Sequence, residues 1–293
     1  FNFFRLRKYI HRENIIFSEL HIKRHIKPVL KVFSFSVVTS IYLQLNTVLL
    51  GFLKNALAVG YFAAATKVMQ MLLTMSACLG SVMMPRASHL IAENKEDEFN
   101  RLIQKSYDFT LAIALPMTIG LIFCAPSLIT ALCGVKFEHS ILPSQIIAPI
   151  ILMVAISNIF GIQVLFPKGK INIVTLCCGI GAVADLILNL CLIPFFSYIG
   201  TSIAYLGAEV ATTVSMYFIG RRYIPIIYFK KSHLTYALGC IVMAFALYGI
   251  SLLQLPTLTI LLLQGCCGVL AYFIILCICK DEMLVQILSK IKR

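Results

Sequence analysis

Residues 171–219 read INIVTLCCGIGAVADLILNLCLIPFFSYIGTSIAYLGAEVATTVSMYFI. Two apolar runs, 171–196 and 199–219, stand here separated by only Ser197 and Tyr198. Each is long enough to cross a bilayer, which takes about 20 apolar residues as a helix. Neither alternates apolar with polar residues, so a membrane β-barrel is excluded and the segment predicts two successive transmembrane helices. The same reading, carried outward, gives six more runs, at 28–52, 59–84, 109–133, 143–166, 234–253 and 256–279. The fold class expected is all-α integral membrane, a bundle of about eight transmembrane helices.

Composition agrees. Of 293 residues, 60% are hydrophobic and only 13% charged, with a mean hydropathy of +0.92. A water-soluble domain runs nearer 45–50% apolar and about 25% charged, so this chain is solvated by lipid. Lys and Arg number 25 against 12 acids, a net charge of +13. The basic residues gather in alternate connections: eight in residues 1–31, four in 85–107, two in 167–170, four in 220–232 and four in 280–293. The intervening connections carry only Lys54 and Lys136. By the positive-inside rule both ends of the chain are expected in the cytoplasm, beside an anionic leaflet, and the charge needs no nucleic acid to explain it. The 11 cysteines lie mostly within apolar runs without metal-ligand spacing, and read as small packing residues.

Residues 93–109 begin with acids and place Phe99, Leu102, Ile103 and Tyr107 on one helical side, which predicts an interfacial helix on the inner leaflet. Pro116, Pro126 and Pro149 fall inside spans and are expected to permit kinks. The chain opens on Phe1 and runs into a basic arm with no signal peptide, which reads as the exit of an earlier span and as a fragment lacking upstream helices.

Ionisable residues inside spans cost about 2.5–3.5 kcal/mol at mid-helix and ask for a reason. Lys67, Asp185 and Glu209 qualify. Asn189 sits one turn beyond Asp185 on the same helix face, and Asn46, Gln70, Asn158 and Gln163 add neutral polarity. One reading pairs Lys67 with an acid to tie helices together. The other has these residues line a water-filled cavity in which Lys67 attracts an anion such as a pyrophosphate, while Asp185 or Glu209 carries a coupling proton or cation. No catalytic motif, metal cluster or phosphate-binding glycine loop is present in the sequence, so neither an enzyme nor a cofactor is expected.

Several segments together resemble the polysaccharide transporter family, the Wzx-type O-antigen and capsule flippases of the multidrug/oligosaccharidyl-lipid/polysaccharide (MOP) exporter superfamily. They are Leu45-Asn46-Thr47-Val48-Leu49-Leu50-Gly51, Val59-Gly60-Tyr61-Phe62-Ala63-Ala64-Ala65-Thr66-Lys67, Met84-Pro85-Arg86-Ala87-Ser88, Leu188-Asn189-Leu190-Cys191-Leu192-Ile193-Pro194 and Ile199-Gly200-Thr201-Ser202-Ile203-Ala204, followed by Glu209. The resemblance runs from about Pro28 to Glu209. It implies a two-lobed bundle around a basic cavity that flips an undecaprenyl-diphosphate-linked oligosaccharide between leaflets by alternating access, in the cytoplasmic membrane. Lys67 matches a recurrent family lysine and Glu209 a recurrent acid.

The resemblance further implies that residues 1–27 are a basic cytoplasmic linker arm and residues 28–220 the C-terminal six-helix lobe. Residues 221–293 are then two additional helices and a basic tail. A first lobe, completing a protein of 14 helices, would be a partner outside this chain. The sequence departs from the family where Asn46 replaces a usual Asp and Asp185 a frequent Asn, as though one carboxylate had moved between facing helices. The substrate-cavity candidates are Lys67, Asp185, Asn189, Glu209, Asn46 and Gln70. Lipid II flippases and MATE-type multidrug exporters share the fold and are the alternatives, with a membrane polymerase or ligase of lipid-linked sugars a more distant one.

Overall fold

A computed structural model describes residues 22–228, 230–253 and 255–279, so most of the basic arm and the tail lie outside the described residues. Among the described residues there are helices and no strand. The helices are α1 (Ile22–Leu53), α2 (Ala56–Ala92) and α3 (Glu96–Cys133), then a bent stretch holding α4 (Ile141–Ile147) and α5 (Ile150–Asn158), then α6 (Ile171–Gly220), α7 (Lys231–Ser251) and α8 (Thr257–Ile278).

Ile171–Gly220 is continuous in hydrogen bonding yet folds back on itself. Ser197 has φ 52° and ψ −130°, outside any helix. A Cβ added to Gly200 would stand 2.6 Å from the Leu192 carbonyl oxygen, one on Gly207 2.7 Å from Leu188 Cδ1, and one on Gly181 3.2 Å from the Ala208 carbonyl. These pairs run in opposite directions along the chain, so α6 is a hairpin of two antiparallel arms, residues 171–196 and 198–220. The two runs of the opening stretch are its two arms. Glycine is required where the arms touch, because the backbones come closer than a Cβ allows.

Five described helices are long and apolar enough to cross a membrane, and six if the stretch Val135–Leu165, bent by 44°, is one crossing. Counting the arms of α6 separately makes seven, and α1, 32 residues long, lies along the first of those arms. The chain is a multi-pass membrane protein. Leu176, Ile180, Val183, Leu186, Ile187 and Leu190 stand exposed along the first arm, an apolar face suited to lipid.

One expectation is corrected. Residues 96–109 are no separate interfacial helix. They are about the first four turns of α3, and Phe99, Leu102, Ile103 and Tyr107 bury that apolar side in the core against Ile159, Phe160, Val164 and Leu165. The same amphipathic pattern suits a leaflet or a protein neighbour, and the tertiary fold supplied the neighbour. Pro116 and Pro126 lie inside α3, whose hydrogen-bonded run continues past both. Pro149, in contrast, stands at the start of α5, at the 44° bend.

The interior holds two main apolar clusters, one toward each end of the bundle. Ala87, Phe99, Ile103, Phe160, Val174 and Met216 belong to the end of the basic connections, and Leu50, Phe62, Met69, Leu121, Ile151 and Tyr205 to the opposite end. The pair α7–α8 packs chiefly on α3. Tyr272 on α8 donates to the Ala112 carbonyl at 2.8 Å, and Ser127 of α3 donates to Gln264 Oε1.

Candidate functional site

The first arm of α6 and α1 run parallel and in contact. Asn46 meets Asp185 and, further along both helices, Lys54 Nζ donates to the Pro194 carbonyl at 2.9 Å. The i,i+4 spacing puts Asp185 and Asn189 on the side of α6 that faces α1. Asn46 Nδ2 donates to Asp185 Oδ2 at 3.0 Å. Asn189 Nδ2 lies 2.9 Å from Asn46 Oδ1, from Asp185 Oδ1 and from the Asp185 carbonyl. Asp185 and Asn189 are fully buried and Asn46 is 2% exposed. Asn46 and Asp185 thus face one another across α1 and α6, the positions between which the carboxylate differs from the family pattern.

The hairpin adds a second acid. Glu209 on the second arm is 5% exposed and close enough to Asp185 for their charges to interact. Tyr205, one turn before Glu209 on the same arm, is buried within reach of both carboxyls. Sequence reading missed Tyr205, because only the turn at Ser197 sets the register that brings it near Asp185. It missed Ser106 likewise, whose hydroxyl donates to the buried Gln163 Oε1 at 2.6 Å.

Chemically, this is a buried set of oxygens with one unmet demand. Asn189 Oδ1 is buried with no hydrogen-bond partner among the described residues. A carboxyl and two carboxamides, the oxygen of one of them unpaired among the described residues, can take up a proton or a hard cation, which prefers oxygen ligands. No group of three His, Cys, Asp or Glu side chains among the described residues could hold a metal ion.

Lys67 and Gln70 are elsewhere. Both are exposed on α2, three residues apart, with Thr74 one turn further on the same side. The opposite side of α2, with Phe62, Ala65, Val68 and Met69, is buried in the core. Lys67 has no ion pair among the described residues, and Asp185 is held by amides, so the helix tie expected from a lysine is made by asparagine. The six candidates therefore divide into a buried cluster of Asn46, Asp185, Asn189 and Glu209 and an open face with Lys67 and Gln70.

The described residues thus form an all-helical membrane bundle with buried carboxyls and an open polar face on α2. The solved "Lipid II flippase MurJ, inward closed conformation" superposes with a TM-score of 0.74 at 18% identity, covering 96% of this chain and 60% of that one. An outward-facing multidrug resistance MATE family transporter of the MOP superfamily gives 0.59 at 17% identity, covering 75% and 53%. At such identities the likeness is one of fold. By sequence, the model of the family described as "Polysaccharide biosynthesis protein" matches residues 6–142. The "Putative O-antigen transporter" of Escherichia coli (strain K12) is 25% identical over 199 residues, 67% of this chain and 47% of the relative. The chain thus spans about half the length of that curated relative. The likeness is thus to polysaccharide biosynthesis proteins in sequence and to MOP-type transporters in fold. The named relatives are transporters and flippases, not enzymes.

Proposed function

We propose that this chain supplies the C-terminal lobe, residues 28–220, and a further helix pair of a flippase. The flippase carries an undecaprenyl-diphosphate-linked oligosaccharide, an O-antigen, capsule or similar repeat unit, across the cytoplasmic membrane by alternating access. The observation that carries this reading is the uncovered face of α2. An ammonium and a carboxamide cannot face hydrocarbon without a cost of several kcal/mol, so Lys67 and Gln70 look onto water or onto the rest of the transporter. A cation on a wet face inside the membrane is the group a diphosphate headgroup needs. The name of the E. coli relative supports the cargo class, and the alternation of basic connections supports both ends of the chain lying in the cytoplasm.

The buried cluster has a separate role. Asp185, Asn46 and Asn189, with Glu209 beside them, take up the coupling proton or sodium ion, so that its arrival alters how α1 sits on the α6 hairpin. No further cofactor is invoked. A lipid II flippase is the second reading, favoured by the likeness to that solved fold over 96% of this chain.

The full-length protein in proteoliposomes tests the proposal. Lys67→Ala should lower flipping of lipid-linked oligosaccharide at least about tenfold while the protein still reaches the membrane. Wild-type flux in that variant would remove Lys67 from the path. Preference for lipid II over an oligosaccharide repeat unit would decide for the second reading.

A further inference from the structure

Two connections at the basic end of the bundle converge on Tyr223. Lys168 donates to the Tyr223 carbonyl at 3.3 Å, with its ammonium 5.0 Å from the centre of the Phe99 ring. Lys170 holds its ammonium 5.1 Å from the centre of the Tyr223 ring. Arg221 and Arg222, both exposed, immediately precede Tyr223. None of the four cations meets an acid among the described residues. The acids that pair at this end are engaged elsewhere, Asp108 by Lys230 and His233, and Glu93 by Lys95 and His89. Lys170 is also the residue before α6, whose first turn has no acidic residue and no side-chain cap, so the positive end of that helix adds to the field.

We propose that Lys168, Lys170, Arg221 and Arg222 form a binding site for the phosphate of a lipid headgroup at the cytoplasmic rim. Rings and a carbonyl position the lysines without neutralising them, which leaves their remaining donors for a phosphate, and arginine matches its oxygens with a planar fork. The apolar surface beside the cations identifies a lipid over a soluble anion. Phe218 and Ile219, just before Arg221, are 60% and 40% exposed, and Ile227 just beyond is 61% exposed. Basic pockets against apolar helix surface at the cytoplasmic side suit anionic headgroups. The phosphate has two sources, an anionic phospholipid of the leaflet and the diphosphate of a lipid-linked cargo. The site stands whether or not the chain transports.

The test is lipid binding to the full-length protein in zwitterionic detergent, followed by native mass spectrometry. The probes are phosphatidylglycerol, phosphatidylcholine, a polyprenyl diphosphate and inorganic phosphate. Wild type should prefer phosphatidylglycerol to phosphatidylcholine at least about tenfold, and Lys168→Gln/Lys170→Gln/Arg221→Gln/Arg222→Gln should abolish the preference. A control that replaces four other exposed cations of the same end, Arg86, Arg101, Lys105 and Lys231, with Gln should keep it. If the first variant fails to fold, the exposed single reversals Arg221→Glu and Arg222→Glu carry the test, each with a loss of about fivefold or more. Binding of the polyprenyl diphosphate alone, lost in the same variants, assigns the site to the cargo. Equal losses in variant and control, or inorganic phosphate bound as well as any lipid, would overturn the proposal.

Discussion

Asp185 is a carboxyl surrounded by amides in a place where lipid or protein hydrocarbon is the usual neighbour. Its two oxygens are met by Asn46 and Asn189. Removing the carboxyl strands the Asn46 amide in the interior, and an unmet buried donor costs about 1–3 kcal/mol. Asp185→Ala should therefore lower thermal stability by that amount in detergent. Because Asn46 and Asp185 touch, exchanging them should be gentler than changing either. Asn46→Asp places two acids together and Asp185→Asn removes the carboxyl. The double variant restores one acid and one amide across the same hydrogen bond. A double-mutant cycle on flux and on melting should give a coupling of about 0.5–3 kcal/mol, and strictly additive losses would refute a carboxylate shared between the two positions. Both residues stood out in the sequence as polar groups in apolar runs. Their contact did not, since 139 residues separate them.

At the scale of elements, the α6 hairpin decides which residues meet. Gly200→Ala drives a Cβ to 2.6 Å from a backbone carbonyl, which cannot swing aside, and should destabilise by about 1–3 kcal/mol despite the better helix propensity of alanine. Gly179, on the same helix with nothing within 4 Å of its added Cβ, is the control of opposite sign. There alanine should stabilise by up to about 1 kcal/mol, read from the melting temperature. The turn between α2 and α3 responds to pH. A hydrogen bond from Lys95, then the charges of His89 and Lys95, hold the Glu93 carboxyl below its ordinary value. Its contribution is present above the ordinary carboxylate pKa and is lost as pH falls through the lowered one. Amide exchange at Asn94 and Lys95, corrected for intrinsic rate, should be indifferent to Glu93→Gln in acid below that range and faster in the variant at neutral pH. The aromatic and aliphatic side of residues 96–109 was legible from periodicity. Whether it lay on a leaflet or in a core was not, because both bury the same atoms.

For the whole molecule, a polar knot fastens the helix pair α7–α8 to α3 at the basic end. Asp108 of α3 accepts from Lys230 Nζ at 2.8 Å and Gln104 Nε2 at 2.7 Å, and lies 3.1 Å from His233 Nε2. Gln104 also grips the backbone of Ile227. The group is half-buried, so Asp108→Asn should cost about 1–2 kcal/mol. The loss should show as faster hydrogen exchange in the first turns of α7 and leave the α1–α6 contact unchanged. Uniform loosening of both would mean that α7–α8 and the other helices open together.

The sequence by itself determined that the chain spans a membrane, as helices, about eight times, because an apolar excess and the need to satisfy backbone groups in lipid leave no other arrangement. It also marked Asn46, Lys67, Asp185, Asn189 and Glu209, since polar groups in apolar runs are conspicuous in any single chain. Only the tertiary structure decided that four of these and Tyr205 close into one buried cluster, while Lys67 stays on an open face of α2. That division depends on the fold-back at Ser197 and on α1 lying along the first arm of α6. These are contacts between distant residues, and hydropathy along a chain carries no record of which helix faces meet.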